Sequence, residues 1–241
     1  MKALKVVAEG LTTSFRYPHF MQEVQPSYDM PPPATIYGHI CSVLGEWFDP
    51  SGVEFAYHFT FEGKSIDLEH TIAVSASTGK LPKSSWPKVL SGKVMPFKRE
   101  VLFRPRLILY INRPDWLAAF LSPRYAVVLG RSQDLMTYTR VTTVELEKTD
   151  RAYFEHTLAP YDMALQLGRG TAALMPRWVD YSRNRVPQFG RYIVLRDRVV
   201  LPEDTLQFSH LAYGPYWVDP ESAIHKNTHL GLCFHQFGQM P

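Results

Sequence analysis

Hydrophobic and polar positions change period several times along this chain, and each change predicts an element. Residues Lys2 to Ala8 alternate weakly, as a first strand would. Residues 17–33 hold five prolines and two tyrosines and read as an ordered loop. Pro31-Pro32-Pro33 cannot continue a strand or lie inside a helix, yet the last of them suits a helix's first turn. Ile36, Ile40, Val43, Leu44 and Trp47 then recur at helical spacing. Gly38 and Gly45 are costly inside such a helix and imply close approach of a neighbouring backbone or a ligand.

Beyond the helix the period becomes two. Phe55, Tyr57, Phe59 and Phe61 alternate with Ala56, His58, Thr60 and Glu62, Gly63-Lys64 makes a turn, and Ile66, Leu68, His70, Ile72 and Val74 continue the period, which predicts a hairpin. From Ser75 to Pro96 all period is lost, in a stretch holding Gly79, Pro82, Pro87, Gly92 and Pro96. Val101, Phe103, Leu107, Leu109 and Ile111 resume a strand face, with Pro105 marking an edge or bulge. Pro114 starts a short helix with Trp116, Leu117 and Phe120 facing inward, and Ala126 to Leu129 reads as a buried strand ending at Gly130. Strand, helix, strand, strand, helix, strand is the order of the ferredoxin-like split βαβ fold, an α+β class. From Thr149 on, Pro, Arg and aromatic residues dominate, and Arg191 to Leu201 predicts a hairpin turning at Arg196-Asp197-Arg198. The expected organisation is a domain over 1–148 and a smaller, mostly β or irregular region over 149–241.

Composition narrows the class. The 241 residues are 45% hydrophobic and 20% charged, which fits a folded chain able to bury a full core. No run reaches membrane-span length, and Met1 to Glu9 lacks the apolar core of a secretory leader. Cys41 and Cys233 do not make a disulfide framework, so a reducing, cytoplasmic setting is the expectation. The net charge of +3 hides an asymmetry: Lys80 to Arg113 holds nine basic residues against Glu100 alone. Such a segment fits a polyanion; the alternative is a solvated basic face.

Three motifs offer chemistry. Gly130 permits positive φ and close backbone approach, and Arg131 and Ser132 bring phosphate donors. Ser14-Phe15-Arg16 forms a turn after the first strand, and Pro32-Pro33-Ala34-Thr35-Ile36-Tyr37-Gly38 opens the helix. In this order, with Leu129-Gly130-Arg131-Ser132, the motifs resemble those of CRISPR-associated protein family five. That family supplies the small capping subunits of type I, Cascade-like RNA-guided complexes. The resemblance covers the first 150 residues or so and is nearest the I-B branch. It implies an RRM-like domain in which Ser14, Arg16, Gly130, Arg131 and Ser132 contact the 5′ handle of the crRNA. It also implies a basic thumb at about 76–100, with Lys80, Lys83, Trp86, Lys88, Lys93, Lys98 and Arg99 reaching guide RNA and the family-seven backbone subunit. The family-eight large subunit and, indirectly, target DNA complete the implied partners; no metal, cofactor or membrane is implied.

Family members that cut precursor RNA use a tyrosine, a lysine and a histidine. The stretch here that resembles their Lys-His pair is Lys98-Arg99, and arginine keeps its proton, so a non-catalytic subunit is expected. The alternatives are an endoribonuclease of the same fold and a stand-alone ferredoxin-like enzyme holding a phosphorylated small molecule at Gly130. A second basic cluster, Arg177, Arg183, Arg185, Arg191, Arg196 and Arg198, fits nucleic acid, the large subunit or solvated surface. His225, His229, Cys233 and His235 are spaced as a zinc cluster could be, against the alternative of surface histidines. His39 and His58 fall on helix and strand patterns and read as satisfied structural residues.

Overall fold

The structure, a computed structural model, describes residues 1–20, 23–90, 93–180, 183–205 and 214–238. In chain order the larger elements are β1 (Lys2–Gly10), α1 (Pro33–Leu44), β2 (Glu54–Thr60), β3 (Gly63–Ile72) and β4 (Val94–Phe103). Then come β5 (Arg106–Ile111), α2 (Leu117–Leu121) and β6 (Met136–Glu145). The C-terminal third adds β7 (Ala152–Phe154), β8 (Thr157–Pro160), β9 (Thr171–Asp180), β10 (Val186–Leu195), β11 (Val199–Leu201), β12 (Tyr216–Asp219), β13 (Leu230–Leu232) and β14 (His235–Gln236). Strands dominate, with few helices, in a mixed α+β architecture.

The central sheet runs β6-β1-β5-β2-β14, each neighbour antiparallel to the next. One face carries α1, α2 and the β9 side of the C-terminal third, around Leu4, Val6, Phe55, Tyr57, Phe59, Leu107 and Leu109. The other face packs Ala3, Ala56, Tyr110 and Val144 against Tyr153, Val200, Leu230 and Leu232. Burial on both faces explains why Ala3 to Ala8 is buried throughout and why its sequence alternates only weakly. The one lysine inside that run, Lys5, is paired with the fully buried Asp219, which also accepts the Tyr110 hydroxyl at 2.7 Å. The main core continues into Leu158, Met175, Trp178 and Phe237, so residues on both sides of position 148 share it.

Several expectations need correction. The helix starts at Pro33 as the prolines require but ends at Leu44, because Gly45 adopts φ +83° and caps it. Trp47 is therefore outside the helix and largely exposed. The expected hairpin is not formed: β2 pairs with β5 and β14, while β3 pairs with β4 over ten residues. The stretch from Ser75 to Pro96 is not structureless, since Ser75–Lys80 and Pro87–Leu90 pair and lengthen the β3–β4 ribbon into one arm; Ser91 and Gly92 lie outside the described residues. Pro105 separates β4 from β5, with Arg104 at φ +48° turning the chain between two sheets. Ala126 to Leu129 is not a strand but a segment with one bridge, Val128 to Leu135; the strand that completes the sheet is β6. Arg191 to Leu201 is not a hairpin either: β10 pairs with β8 and β9, and β11 with β7. The turn was readable, but its two arms enter different sheets.

Candidate nucleic-acid cleft

The chain leaving β1 turns at Ser14-Phe15-Arg16 because Phe15 is an anchor. Its ring is buried and meets Phe59 edge-on at 5.5 Å, while its carbonyl accepts from the Tyr28 N–H at 2.9 Å. The Ser14 hydroxyl is buried and donates to the Glu100 carbonyl at 2.8 Å, so it fastens the turn to β4. Arg16 is exposed. The Tyr57 hydroxyl donates to the Pro31 carbonyl at 2.8 Å and fixes the proline run that starts α1. Pro33 has no N–H, no side chain caps the first turn, and no acid lies in it. That leaves the positive end of the helix dipole uncompensated.

The segment after α2 comes back to the same place. His39 on α1 contacts the Val128 carbonyl through Nδ1 at 2.8 Å and the Tyr138 hydroxyl through Nε2 at 2.8 Å. Burial holds its pKa below the ordinary histidine value, so it is the satisfied structural residue its position implied. Gly130 adopts φ +101°, and a Cβ there would lie 2.7 Å from the Ser14 carbonyl and 2.7 Å from Thr13 Oγ1. The close approach that this glycine permits is therefore the chain's own, to the Ser14 turn.

Arg16, Pro32, Ala34, Thr35, Gly38, Gly130 and Arg185 line one cleft of about 360 Å3. Three separate motifs, the last of them some ninety residues beyond the second, thus meet around the start of α1. Gly38 has no atom within 4 Å of where a Cβ would stand, so the helix surface there is open to the cleft. Arg185, from the loop between β9 and β10, joins from the second basic cluster. The remaining arginines of that cluster are dispersed: Arg177 donates to the Gln236 and Phe237 carbonyls, Arg183 lies 3.6 Å from Asp180, and Arg191 stacks over Tyr161. Arg196 and Arg198 pair with Asp29 and Glu155.

Arg131 is placed differently from a free phosphate fork. Its Nε and Nη2 donate to the fully buried Asp134 carboxylate at 2.9 and 2.8 Å, and its Nη1 pairs with Glu69 of the arm. Glu69 also accepts from Arg99 Nε at 2.7 Å. Burial pushes the Glu69 carboxyl upward, but the two guanidiniums outweigh it and hold the pKa below the usual carboxylate value. Arg99 is buried in this network, whereas Lys98 beside it is exposed. Ser132 is exposed, with its hydroxyl 3.4 Å from Gln133 Oε1. Asp134 and Glu69 were not singled out from the sequence; an acid three residues after Arg131 was the available signal.

On the arm, Lys80, Lys83, Lys88 and Lys93 are exposed, and Trp86 at the turn is 72% exposed. A larger cavity of about 1390 Å3 opens between the Tyr17–Asp29 loop and β9, but its charges are closed on one another. Lys64 lies 2.7 Å from Asp29 and 3.2 Å from Glu100, and Arg198 lies 2.7 Å from Glu155. It presents no excess of positive charge to an anion.

The histidines and cysteine near the end do not converge. His235 is buried with Nε2 at 2.8 Å from the Leu158 carbonyl, Cys233 is buried beside Met163, and His225 faces Arg198. Among the described residues no group of three metal-ligating side chains forms a site. His58 is not fully satisfied: its Nδ1 is buried without a partner, and burial, with His156 adjacent, pushes its pKa down to about 4. No described helix is long and apolar enough to cross a membrane.

No protein-family model matches the chain, and no curated protein matches it. Solved structures do. A chain from a structure described as a CRISPR RNA-guided surveillance complex superposes with a TM-score of 0.53 at 13% identity, over 83% of this chain and 91% of that one. The chain shares the fold of a protein from a CRISPR RNA-guided surveillance complex. A CRISPR protein from Archaeoglobus fulgidus aligns over 98% of this chain and all of its own, with a TM-score of 0.49 at 10% identity. A chain of a Type III-B Cmr-beta complex bound to cognate target RNA gives 0.48 at 11% identity, covering 83% of this chain and 86% of that one.

Proposed function

We propose that this chain is a non-catalytic, RNA-binding subunit of a CRISPR effector complex, of the family-five kind that caps the 5′ handle of the crRNA in type I complexes. The observation that carries the reading is the convergence of three separated motifs on one cleft, at the uncapped start of α1 beside Arg16 and Gly130. The Thr35 and Ile36 N–H groups donate to the Pro32 carbonyl, so the helix start acts on a phosphate through its uncompensated dipole, and the exposed Arg16 supplies the charge-assisted bonds. The Gly130 loop shapes the cleft wall, and Arg131 holds that loop. The ferredoxin-like reading is supported by the strand order, in which β6-β1-β5-β2 places the fourth, first, third and second strands of the split βαβ pattern side by side.

The arm takes the thumb's part. Its exposed lysines give point charges for the guide backbone and Trp86 gives a face for stacking a base. The family-seven backbone subunit adjoins the arm, the family-eight large subunit adjoins the C-terminal third, and target DNA is reached through the guide, in the cytoplasm. The I-B branch remains the nearest match by motif. Lack of nuclease activity is supported by chemistry: Arg99 is paired with Glu69, and the Tyr37 hydroxyl donates to the Phe48 carbonyl at 2.8 Å from within the core. Neither is poised to deprotonate a 2′-hydroxyl.

The test is binding of a repeat-derived handle RNA to the full chain. Arg16→Ala is expected to weaken it at least tenfold, the loss of a charged hydrogen bond worth about 1.5–3 kcal/mol, with an unchanged melting temperature. Equal binding by parent and variant overturns the cleft assignment. Incubation of the same RNA in EDTA is expected to leave it intact; site-specific cleavage lost in Lys98→Ala gives the endoribonuclease reading instead.

A further inference from the structure

The arm is fastened to the body unevenly. β4 is gripped along one edge by main-chain pairing, Thr12-Thr13 with Phe103 and Leu102 antiparallel and Val24-Gln25 with Lys98-Arg99 in parallel. β3 lies on its other edge and, among the described residues, pairs with no further strand. A ribbon held by one edge of one strand can swing about that edge, so the side-chain contacts of the far strand decide where the arm points. The inner contact on β3 is Lys64, 2.7 Å from Asp29 and 3.2 Å from Glu100. Glu69, five residues further out and therefore on the opposite face, makes the outer one. It accepts from Arg99 Nε at 2.7 Å within the arm and pairs with Arg131 Nη1 of the body. The body end is rigid. The fully buried Asp134 accepts from the Arg131 main-chain N–H and Nε at 2.9 Å each, from Nη2 at 2.8 Å and from Thr12 Oγ1 at 3.2 Å. Arg131 thus has a carboxylate of its own in the body, and Glu69 adds a second from across the joint. Past Ile72 the arm's strands pair with each other, Ser75 with Leu90 and Lys80 with Pro87, and carry the exposed lysines outward.

We infer that Glu69 is a positioning residue that, through Arg131, sets the arm against the loop walling the cleft, so that arm and cleft engage one RNA together. The ligand in this inference rests on the guide-RNA reading; the joint rests on the contacts alone. Glu69 itself touches no RNA. Its effect is preorganisation, because an arm free to swing must be ordered when RNA binds, and affinity falls accordingly. The pair suits that task, since both side chains are mostly buried and salt screens it less than a surface pair. Asp67 is the contrasting case: its carboxylate is 3.8 Å from the same Nη1 and its side chain is 57% exposed.

The experiment first reads the arm's direction without RNA, from amide residual dipolar couplings of the full-length protein. In the parent, the arm strands Ser75–Lys80 and Pro87–Leu90 are expected to share one alignment with the central sheet. In Glu69→Gln the arm couplings are expected to shrink by about half while those of the central sheet stay. Lower stability alone does not produce that pattern, since the couplings report folded molecules. Asp67→Asn is expected to match the parent, and Glu69→Asp, which keeps the charge, to lie between the parent and Glu69→Gln. Arm couplings unchanged in Glu69→Gln, reduced as much in Asp67→Asn or in Glu69→Asp, or already averaged in the parent overturn the inference. The second readout is binding of a handle RNA extended by guide nucleotides. Replacing Lys80, Lys83, Lys88 and Lys93 with alanine is expected to weaken it about tenfold in the parent and about threefold or less in Glu69→Gln. An equal loss in both backgrounds overturns the inference. RNA that fails to bind the parent overturns the guide-RNA reading instead, and the couplings still decide the joint.

Discussion

At the scale of single residues, the decisive facts are which charges are already used. Arg131 looked like a phosphate donor because a Gly-Arg-Ser loop offers the right groups, yet its guanidinium is spent on Asp134 and Glu69. A motif shows what a side chain can do; only the carboxylates brought to it by folding, one of them on an arm sixty residues away, show what it does. Arg131→Ala is accordingly expected to destabilise the fold by about 3 kcal/mol, since Asp134 would keep a fully buried, uncompensated charge. Chemical denaturation measures it, and a variant as stable as the parent would show that the network is dispensable. Titration gives a second residue-scale expectation. Burial holds His235 at about 4, although the Leu158 carbonyl favours its charged form. The unfolded chain takes up that proton first, near pH 6.5. The contribution of His235 is therefore complete above pH 6.5 and lost progressively down to pH 4, by about 3 kcal/mol in all. Melting curves across that range should fall more steeply for the parent than for His235→Gln, which keeps a donor toward Leu158; parallel curves would place the titration elsewhere.

Elements were legible in the sequence wherever their cause is local. The proline run starts α1 because ring geometry demands it, and Gly45 ends it because a left-handed residue closes the last turn. The same holds for Pro114 and the buried Phe120 of α2. Pairing of strands was not legible, because alternation says that a strand exists and nothing about its neighbour. β2 and β3 are adjacent in sequence with a glycine between them, and each pairs elsewhere: the all-aromatic face of β2 fits a doubly covered sheet, and the amphipathic β3 fits a ribbon. The basic stretch that lost its period turned out to extend that ribbon. As a ribbon it holds its lysines out from the body of the protein, and this sets a salt prediction. Replacing Lys80, Lys83, Lys88 and Lys93 with alanine should weaken RNA binding and flatten the plot of log affinity against log salt concentration. Each phosphate contact removed takes about 0.7 from the slope for a single strand. An unchanged slope would mean that these lysines do not reach the RNA.

Over the whole molecule, the boundary expected near residue 148 is crossed by the core. The Tyr37 ring on α1 meets Trp178 edge-on at 4.5 Å and Phe237 at 5.4 Å, and Phe237 stacks on Phe55 at 4.5 Å. The Phe59 N–H donates to the His156 carbonyl at 2.7 Å, and β14 adds the final strand to the central sheet beside β2. On the opposite face, Lys5 of β1 is neutralised by Asp219 of β12 and by Glu221 beyond it. Residues 1–148 alone would expose one apolar face of the sheet, strip the other of its cover from Leu158, Met175, Trp178 and Phe237, and leave a lysine in the exposed face without its acid. This is why the N-terminal motifs could suggest a familiar sheet while the C-terminal third, which contributes Arg185 to the cleft and a wall to the core, was not placed: its strands pair mostly with one another, and the side chains they pack on, Tyr37 and Phe55, lie more than a hundred residues upstream of Trp178 and Phe237. The whole chain is expected to unfold in a single transition followed alike by heat capacity and by ellipticity. Phe237→Ala, one residue past β14 yet packed against α1 and β2, should lower its stability by about 3–5 kcal/mol. Two transitions, with only the later-melting one unaffected by Phe237→Ala, would show that the N-terminal sheet folds without the segment that covers it.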